Sequence, residues 1–314
     1  MRAVILGGTG AIGGATAARL AAAGWQVAVT GRDPEAMPAA LTRAGVSFHA
    51  IDRADTAAIA RLVATGADLL VDLLAYCAAD VRALLPVLAD VGSPVLFSSR
   101  AVYVDPAGRH VNTDDPPHFP GPVREDTPTV PPASDAVDPF TREGYAPAKA
   151  GAERVALDSG LPVTVLRPAK VHGRWARTAR TRPFVAAMAA GAERIELAAG
   201  HAVDQLTAAS NTAALIETVA ADPAARILNT ADPDAPTAAQ IVAAIGARLG
   251  WHGTLDLLDP CSDGDDDPDR GHNPWRSAHP FVLDTTAATQ LGYQPVGTAL
   301  DLLVEEVDWV RSGR

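Results

Sequence analysis

Tyr145-Ala-Pro-Ala-Lys149 sets a phenol and an ammonium four residues apart, a spacing that brings two side chains onto one face of a helix. A phenol with an ordinary pKa of about 10 is a poor base at neutral pH. A neighbouring ammonium stabilises phenolate and brings Tyr145 into range for proton exchange with an alcohol or carbonyl oxygen. Chance produces this pair often, so its position has to carry the reading. It stands near a helix start, where Pro147 is tolerable in the first turn, and ahead of a sixth strand. A fifth strand before it ends in Phe97-Ser98-Ser99. A hydroxyl at that carboxyl end faces the crevice of an open α/β sheet, where Ser99 would hold a substrate oxygen while Tyr145 moves the proton.

A second chemical feature opens the chain. Val4-Ile-Leu6 runs straight into Gly7-x-x-Gly10-x-x-Gly13, with a helical stretch over Ala11 to Ala23, Gly24 as its stop and a new strand at Gln26 to Thr30. A strand ending in glycines and opening a helix aims backbone N–H groups and the positive helix end at one spot, which suits a pyrophosphate. Thr9, Ala11 and Ile12 belong to that loop. An acidic residue about 20 positions beyond the glycines would favour NAD. Gly31 and Arg32 stand there instead, and the guanidinium suits a 2′-phosphate. Asp33 reads as the cap of a helix that begins at Pro34. NADP(H) is the expected cofactor, with NAD(H) as the alternative.

These residues require a scaffold. Apolar runs at Val46 to Ile51, Leu69 to Leu73, Val95 to Ser98, Val163 to Leu166 and Arg226 to Asn229 are of buried parallel-strand type. Helical stretches alternate with them at Pro34 to Ala44, Thr56 to Ala64, Ala78 to Asp90, Ala148 to Asp158 and Thr212 to Ala221. That alternation predicts an α/β fold, a doubly wound parallel sheet of Rossmann type. After residue 230 helices dominate, at Thr237 to Leu249, Thr285 to Leu291 and Ala299 to Val310, as in a smaller, mainly helical substrate lobe. The boundaries read as 1–170 plus about 205–230 for the dinucleotide-binding domain, and about 171–204 with 231–314 for the lobe.

Residues 104–144 hold nine of the 25 prolines and no sustained period, the mark of a lid, binding loop or disordered segment. Residues 261–270 are acidic without calcium-loop spacing and read as a solvated loop. A net charge of −11 argues against a nucleic-acid partner. No apolar run reaches the roughly 18 residues of a membrane span. The first strand leaves no room for a signal peptide, and Cys77 and Cys261 read as free thiols of a reducing cytoplasm. The histidines lack metal-ligand spacing, so no metal is expected. A monomer or homodimer is expected.

With these pieces placed, the chain resembles the extended short-chain dehydrogenase/reductases, in the NAD-dependent epimerase/dehydratase group, over nearly its whole length. The resemblance rests on the glycine loop, Asp52, Leu73-Leu74-Ala75, Ser98-Ser99-Arg100-Ala101-Val102-Tyr103, Tyr145-x-x-x-Lys149, Leu166-Arg167-Pro168 and Leu283-Asp284 with Leu291-Gly292-Tyr293-x-Pro295. It implies Ser99, Tyr145 and Lys149 as catalytic residues, with Lys149 also on the nicotinamide ribose. It implies adenine contacts at Asp52, with Arg53 beside it, and ribose contacts at Leu73, Leu74 and Ala75. Ser98 and the stretch Pro168 to Val171 would flank the nicotinamide.

Departures narrow the chemistry. Dehydratases of this family follow the catalytic hydroxyl with Asp-Glu, and Arg100-Ala101 removes that acid and base. Gly31-Arg32 departs from the acidic residue of epimerases that retain NAD. Reversible hydride transfer between NADP(H) and a carbonyl or hydroxyl of a small molecule is the expected activity. A sugar-nucleotide epimerase with retained cofactor is the alternative, and a silent cofactor-binding regulator or RNA-associated scaffold a third. Arg100 has two readings. An internal partner (Asp72, Asp80 or the acidic loop) or solvent neutralises it, or it grips a carboxylate or phosphate on the substrate or touches the cofactor pyrophosphate; Tyr103 is the other candidate substrate residue.

Overall fold

A computed structural model describes residues 1–258 and 270–313. β1 (Arg2–Leu6), α1 (Ala11–Ala22) and β2 (Gln26–Gly31) make the first crossover. α2 (Ala39–Arg43) and β3 (Ser47–Ala50) follow, then α3 (Thr56–Val63), β4 (Leu69–Asp72), α4 (Ala78–Leu88) and β5 (Ser93–Phe97). After the long connection come α5 (Arg142–Leu157), β6 (Thr164–Pro168), β7 (Lys170–His172), α6 (Arg182–Ala189), β8 (Arg194–Ala198) and β9 (Leu206–Ala208). The chain ends with α7 (Ala209–Ala220), β10 (Arg226–Thr230), α8 (Ala238–Leu249), β11 (Thr254–Leu258), α9 (Thr286–Gln290) and α10 (Ala299–Arg311).

Among the described residues the central sheet has seven parallel strands in the order β10-β6-β5-β4-β1-β2-β3. This is the doubly wound parallel sheet expected from the alternation. Every residue of β4, β5 and β6 is buried, because helices cover both faces of such a sheet and leave no wet side. Register aligns Leu6 with Thr30 and with Asp72, and Phe97 with Leu166. The carboxyl ends therefore form one edge, and the direction of strand order reverses at β1 and β4. Ligands bind at such a reversal.

One apolar core lies against the sheet, with Ile5, Leu20, Val29, Leu69, Val71, Leu215 and Leu228 in it. A separate core gathers Phe184, Leu197, Ile241, Ile245, Trp275, Leu303 and Val307 from α6, β8, α8 and α10. Trp275 is buried there, stacked on Phe184 with ring centroids 5.6 Å apart.

Several expected elements are redrawn. The stretch Pro34 to Ala44 is a 3₁₀ turn over Pro34–Ala36 followed by α2, because Pro38 has no N–H to continue a helix and stands in extended conformation. α5 begins at Arg142, where the Thr141 hydroxyl accepts from Gly144 N at 3.0 Å. α6 and the parallel pair β8–β11 have no counterpart in the expected pattern. The Pro-rich segment is packed down: Phe119, Val123 and Val130 are buried, Val123 N bonds to Val282 O, and Asp105 accepts from Arg109 and His118. Residues 261–269 of the acidic run, Cys261 among them, lie outside the described residues. Arg270 pairs with Glu196 at 2.5 Å. Among the described residues no helix is long and apolar enough to cross a membrane.

Candidate active site

Ser98 and Ser99 leave the carboxyl end of β5, where the sheet edge opens. Ser99 adopts extended backbone and caps a 3₁₀ turn over Arg100–Val102, accepting from Ala101 N at 3.1 Å. The first turns of α5 bring Tyr145 to the same end of the sheet, close enough for the Ser99 hydroxyl to act on the phenol. Lys149, one turn on, is buried and donates Nζ to Ala75 O at 2.7 Å and to Phe97 O at 2.9 Å. Its ammonium also lies 4.8 Å from the Tyr76 ring centre and 6.0 Å from that of Tyr145. Backbone carbonyls just past β4 and at the end of β5 thus hold the lysine between the strands.

The electrostatics differ from the expectation of a phenol lowered by its lysine. Burial raises the Tyr145 pKa above its ordinary value, and the nearby Ser99 hydroxyl only partly opposes this. Lys149 is itself pushed down to about 8, first by burial, against the pull of Asp72, Glu153 and Asp80. Tyr145 is accordingly held as a proton donor at neutral pH.

The glycine loop forms the other wall. Gly7 turns at φ +83°, which L side chains rarely adopt. A Cβ on Gly13 would meet Gly8 Cα at 2.6 Å and Gly7 O at 2.7 Å, so only glycine lets the helix sit this close to the loop. A Cβ on Gly10 would meet nothing within 4 Å. Gly10 begins α1 in extended conformation with no side-chain cap. Its neighbours' N–H groups are therefore available to an anion. Ser98 Oγ, just past the carboxyl end of β5, is buried and has no hydrogen-bond partner among the described residues. These observations fit a dinucleotide held by residues 7–13 with its nicotinamide end near Ser98, Ser99 and Lys149.

At the tip of β2 no carboxylate faces the site. Gly31 lies against Phe48 and Thr9, and Asp33 is spent on Glu35 N at 2.9 Å. Arg32 is exposed and makes no ion pair or hydrogen bond among the described residues. Asp52 is exposed and caps Ala54 N at 2.9 Å. Leu74 lies against Gly7, while Ala75 is fully buried and faces Lys149 through its carbonyl. Pro168 ends β6, and Val171 accepts from Arg180 through its carbonyl.

Two expected roles are corrected. Arg53 does not line an adenine site: it is buried, with Nη2 2.7 Å from Asp72 Oδ2 and 2.9 Å from Asp80 O. Tyr103 does not face a substrate: it is 0% exposed, its hydroxyl donates to Asn229 Oδ1 at 2.6 Å, and Arg167 stacks on its ring at 4.6 Å. Arg100 has an internal partner, though none of those expected. Asp72 is taken by Arg53 and Asp80 by Tyr76 N and Cys77 N, and Arg100 pairs with Asp204. Arg177, which the sequence did not single out, places Nη2 3.3 Å from Thr9 Oγ1 across the glycine loop. Arg180 and Asp204 were equally unmarked, since no motif contains them, and Lys170 was covered only by the stretch Pro168 to Val171.

Residues 3–87 match the NAD-dependent epimerase/dehydratase family model, as the sequence resemblance implied, and no curated protein matches the chain. Solved structures share the whole fold. A UDP-glucose 4-epimerase from Thermotoga maritima, solved with UDP-glucose, is 17% identical, with a TM-score of 0.72 over 100% of this chain and 99% of its own. A Thermus thermophilus UDP-glucose 4-epimerase in complex with NAD is 17% identical, with a TM-score of 0.70 and full coverage of both chains, 100% each. A dTDP-glucose 4,6-dehydratase from Streptomyces venezuelae with NAD bound is 22% identical, at 0.70 over 100% of this chain and 98% of that one. The protein shares its fold with these two epimerases and this dehydratase.

Proposed function

We propose that the protein is an NADP-dependent oxidoreductase that moves a hydride reversibly between NADP(H) and a carbonyl or hydroxyl carbon of a small molecule. The observation that carries this reading is the lysine clamped by Ala75 O and Phe97 O one turn beyond Tyr145, at the end of the strand that leads into Ser99. Ser99 orients the substrate oxygen and Tyr145 supplies its proton. Lys149 fixes the end of the cleft and keeps a positive charge near the phenol. The bound nicotinamide supplies or accepts the hydride. A phenol held protonated at neutral pH suits donation to the oxygen of a reduced carbonyl.

Choice of NADP(H) rests on Gly31, on Asp33 being spent as a cap, and on the exposed Arg32, which has no ion pair among the described residues. A planar guanidinium without an internal partner suits a phosphate. The likeness in fold to UDP-glucose 4-epimerases supports a second reading, an epimerase that keeps its cofactor. Incubation with a carbonyl panel and either NADPH or NADH separates the two. Stoichiometric oxidation of NADPH supports the reductase; isomerised product with no net cofactor consumption supports the epimerase.

A further inference from the structure

Arg100, Lys170 and Arg180 come from three separate parts of the chain and crowd around Asp204. Arg100 Nη2 pairs with Asp204 Oδ1, and Lys170 Nζ lies 2.6 Å from Asp204 Oδ2. Lys170 also donates to Pro274 O, and Arg180 Nη1 donates to Val171 O at 2.9 Å. Arg180 is close enough to Asp204, Glu306 and Arg100 to feel all three, and Lys170 feels both arginines. Burial first, and then the neighbouring cations, push Lys170 below its usual range.

A structural tie through Asp204 needs one cation, and this cluster holds three. The second carboxylate, Glu306, is satisfied by Thr181 Oγ1 at 2.8 Å, by Thr181 N and by Gly173 N. Even with Glu306 counted, three basic side chains face two carboxylates among the described residues, an excess of one positive charge when Lys170 is protonated. Arg100 is 8% exposed, and among the described residues neither its Nη1 nor Asp204 Oδ1 has a hydrogen-bond partner, although the two side chains form an ion pair and Phe281 packs on the guanidinium at 4.4 Å. A buried cation with an unspent donor is costly unless an anion meets it. Arg100 directly follows Ser99, their Cα atoms about 3.8 Å apart, and Lys170 follows the β6 end.

We propose that Arg100, Lys170 and Arg180 form a carboxylate-binding subsite, organised by Asp204, and that the compound reduced beside Ser99 and Tyr145 is a carbonyl acid. The identity of the reaction rests on the function proposed above; the anion site itself does not. One excess positive charge matches a carboxylate monoanion. A phosphate monoester carries about −1.5 to −2 near neutral pH and overcharges the cluster. The unspent Nη1 edge supplies N–H donors to a carboxylate oxygen.

The test uses the full-length protein with bound cofactor and a keto-acid series (2-oxobutanoate, acetoacetate and levulinate). Each acid is compared with its methyl ester and with a phosphate-bearing ketone, dihydroxyacetone phosphate. Calorimetric binding and thermal shift are read alongside turnover. The expected result is binding of at least one acid tenfold or more tighter than its ester, with the preference lost in Arg180→Gln and in Lys170→Gln. A circular-dichroism melt confirms that each variant is folded, and Arg180→Lys should restore part of the preference. Esters binding as well as acids, no acid binding at all, or dihydroxyacetone phosphate binding best would each overturn the proposal. Acid binding that depends on Arg180 without turnover upholds the subsite and sinks the hydride-transfer reading instead.

Discussion

Glu153 and Arg167 meet as a buried two-pronged pair, with Arg167 Nε 2.9 Å from Oε1 and Nη2 2.6 Å from Oε2. Glu153 lies one turn beyond Lys149 on α5, and Arg167 lies in β6. The pair therefore ties the helix that carries Tyr145 and Lys149 to the strand whose end borders the cofactor cleft. Arg167 also reaches Glu125 O in the Pro-rich segment at 3.2 Å. That segment is joined in turn to β10, since Asn229 N donates to Glu125 Oε1 at 2.8 Å.

Removing one member of this pair strands the other charge in the core. Glu153→Ala is expected to destabilise the protein by about 3–5 kcal/mol, measured by urea denaturation. Near-neutral stability would show that Arg167 finds another acceptor.

Tyr145→Phe keeps the ring and removes the transferable proton. Loss of roughly 10²-fold or more in kcat is expected, with the melting curve and cofactor binding unchanged. Full turnover in this variant would remove the phenol from the mechanism.

Lys149 gives a pH signature with a definite sign. Its pKa is about 8 in the folded protein against 10.5 as the ordinary value. Below about 8 the folded state carries the ammonium at a desolvation cost. Between about 8 and 10.5 the unfolded chain binds more protons than the native one, so this group's contribution to stability rises with pH. The stability of the wild type minus that of Lys149→Met, from denaturation at a series of pH values, should climb across that window. A flat difference contradicts the lowered pKa.

The glycine loop yields a paired test. Gly10→Ala meets open space and should melt like the wild type while losing cofactor affinity, because the methyl group takes the place of an approaching phosphate. Gly13→Ala drives a Cβ into Gly8 Cα and Gly7 O and should lower the melting temperature as well. Unchanged dinucleotide affinity in Gly10→Ala, by fluorescence titration, would move the pyrophosphate elsewhere.

Arg32 sets cofactor choice in the proposed function. The wild type should bind NADPH at least about tenfold more tightly than NADH, a difference of roughly 1.4 kcal/mol, and Arg32→Ala should erase it. Equal affinities in calorimetric titrations of the wild type would return the choice to NAD.

The strand–helix alternation, the glycine loop and the Tyr145–Lys149 spacing were all legible in the linear sequence. Each is a local pattern: buried runs, a turn that needs glycine, and a helical period of about 3.6 residues. β8 and β11 escaped because Glu196 and Asp256 interrupt their apolar runs and their pairing joins segments far apart. α5 starts six residues before the helical stretch expected from Ala148, because Thr141 caps a helix that runs through Gly144 and Pro147. The partners of Arg53, Tyr103 and Arg100 were decided only by tertiary structure. Asp72, Asn229 and Asp204 lie 19, 126 and 104 positions away from them respectively. A buried charge or hydroxyl is satisfied by whatever group the fold brings within hydrogen-bond distance, and sequence separation does not enter that requirement.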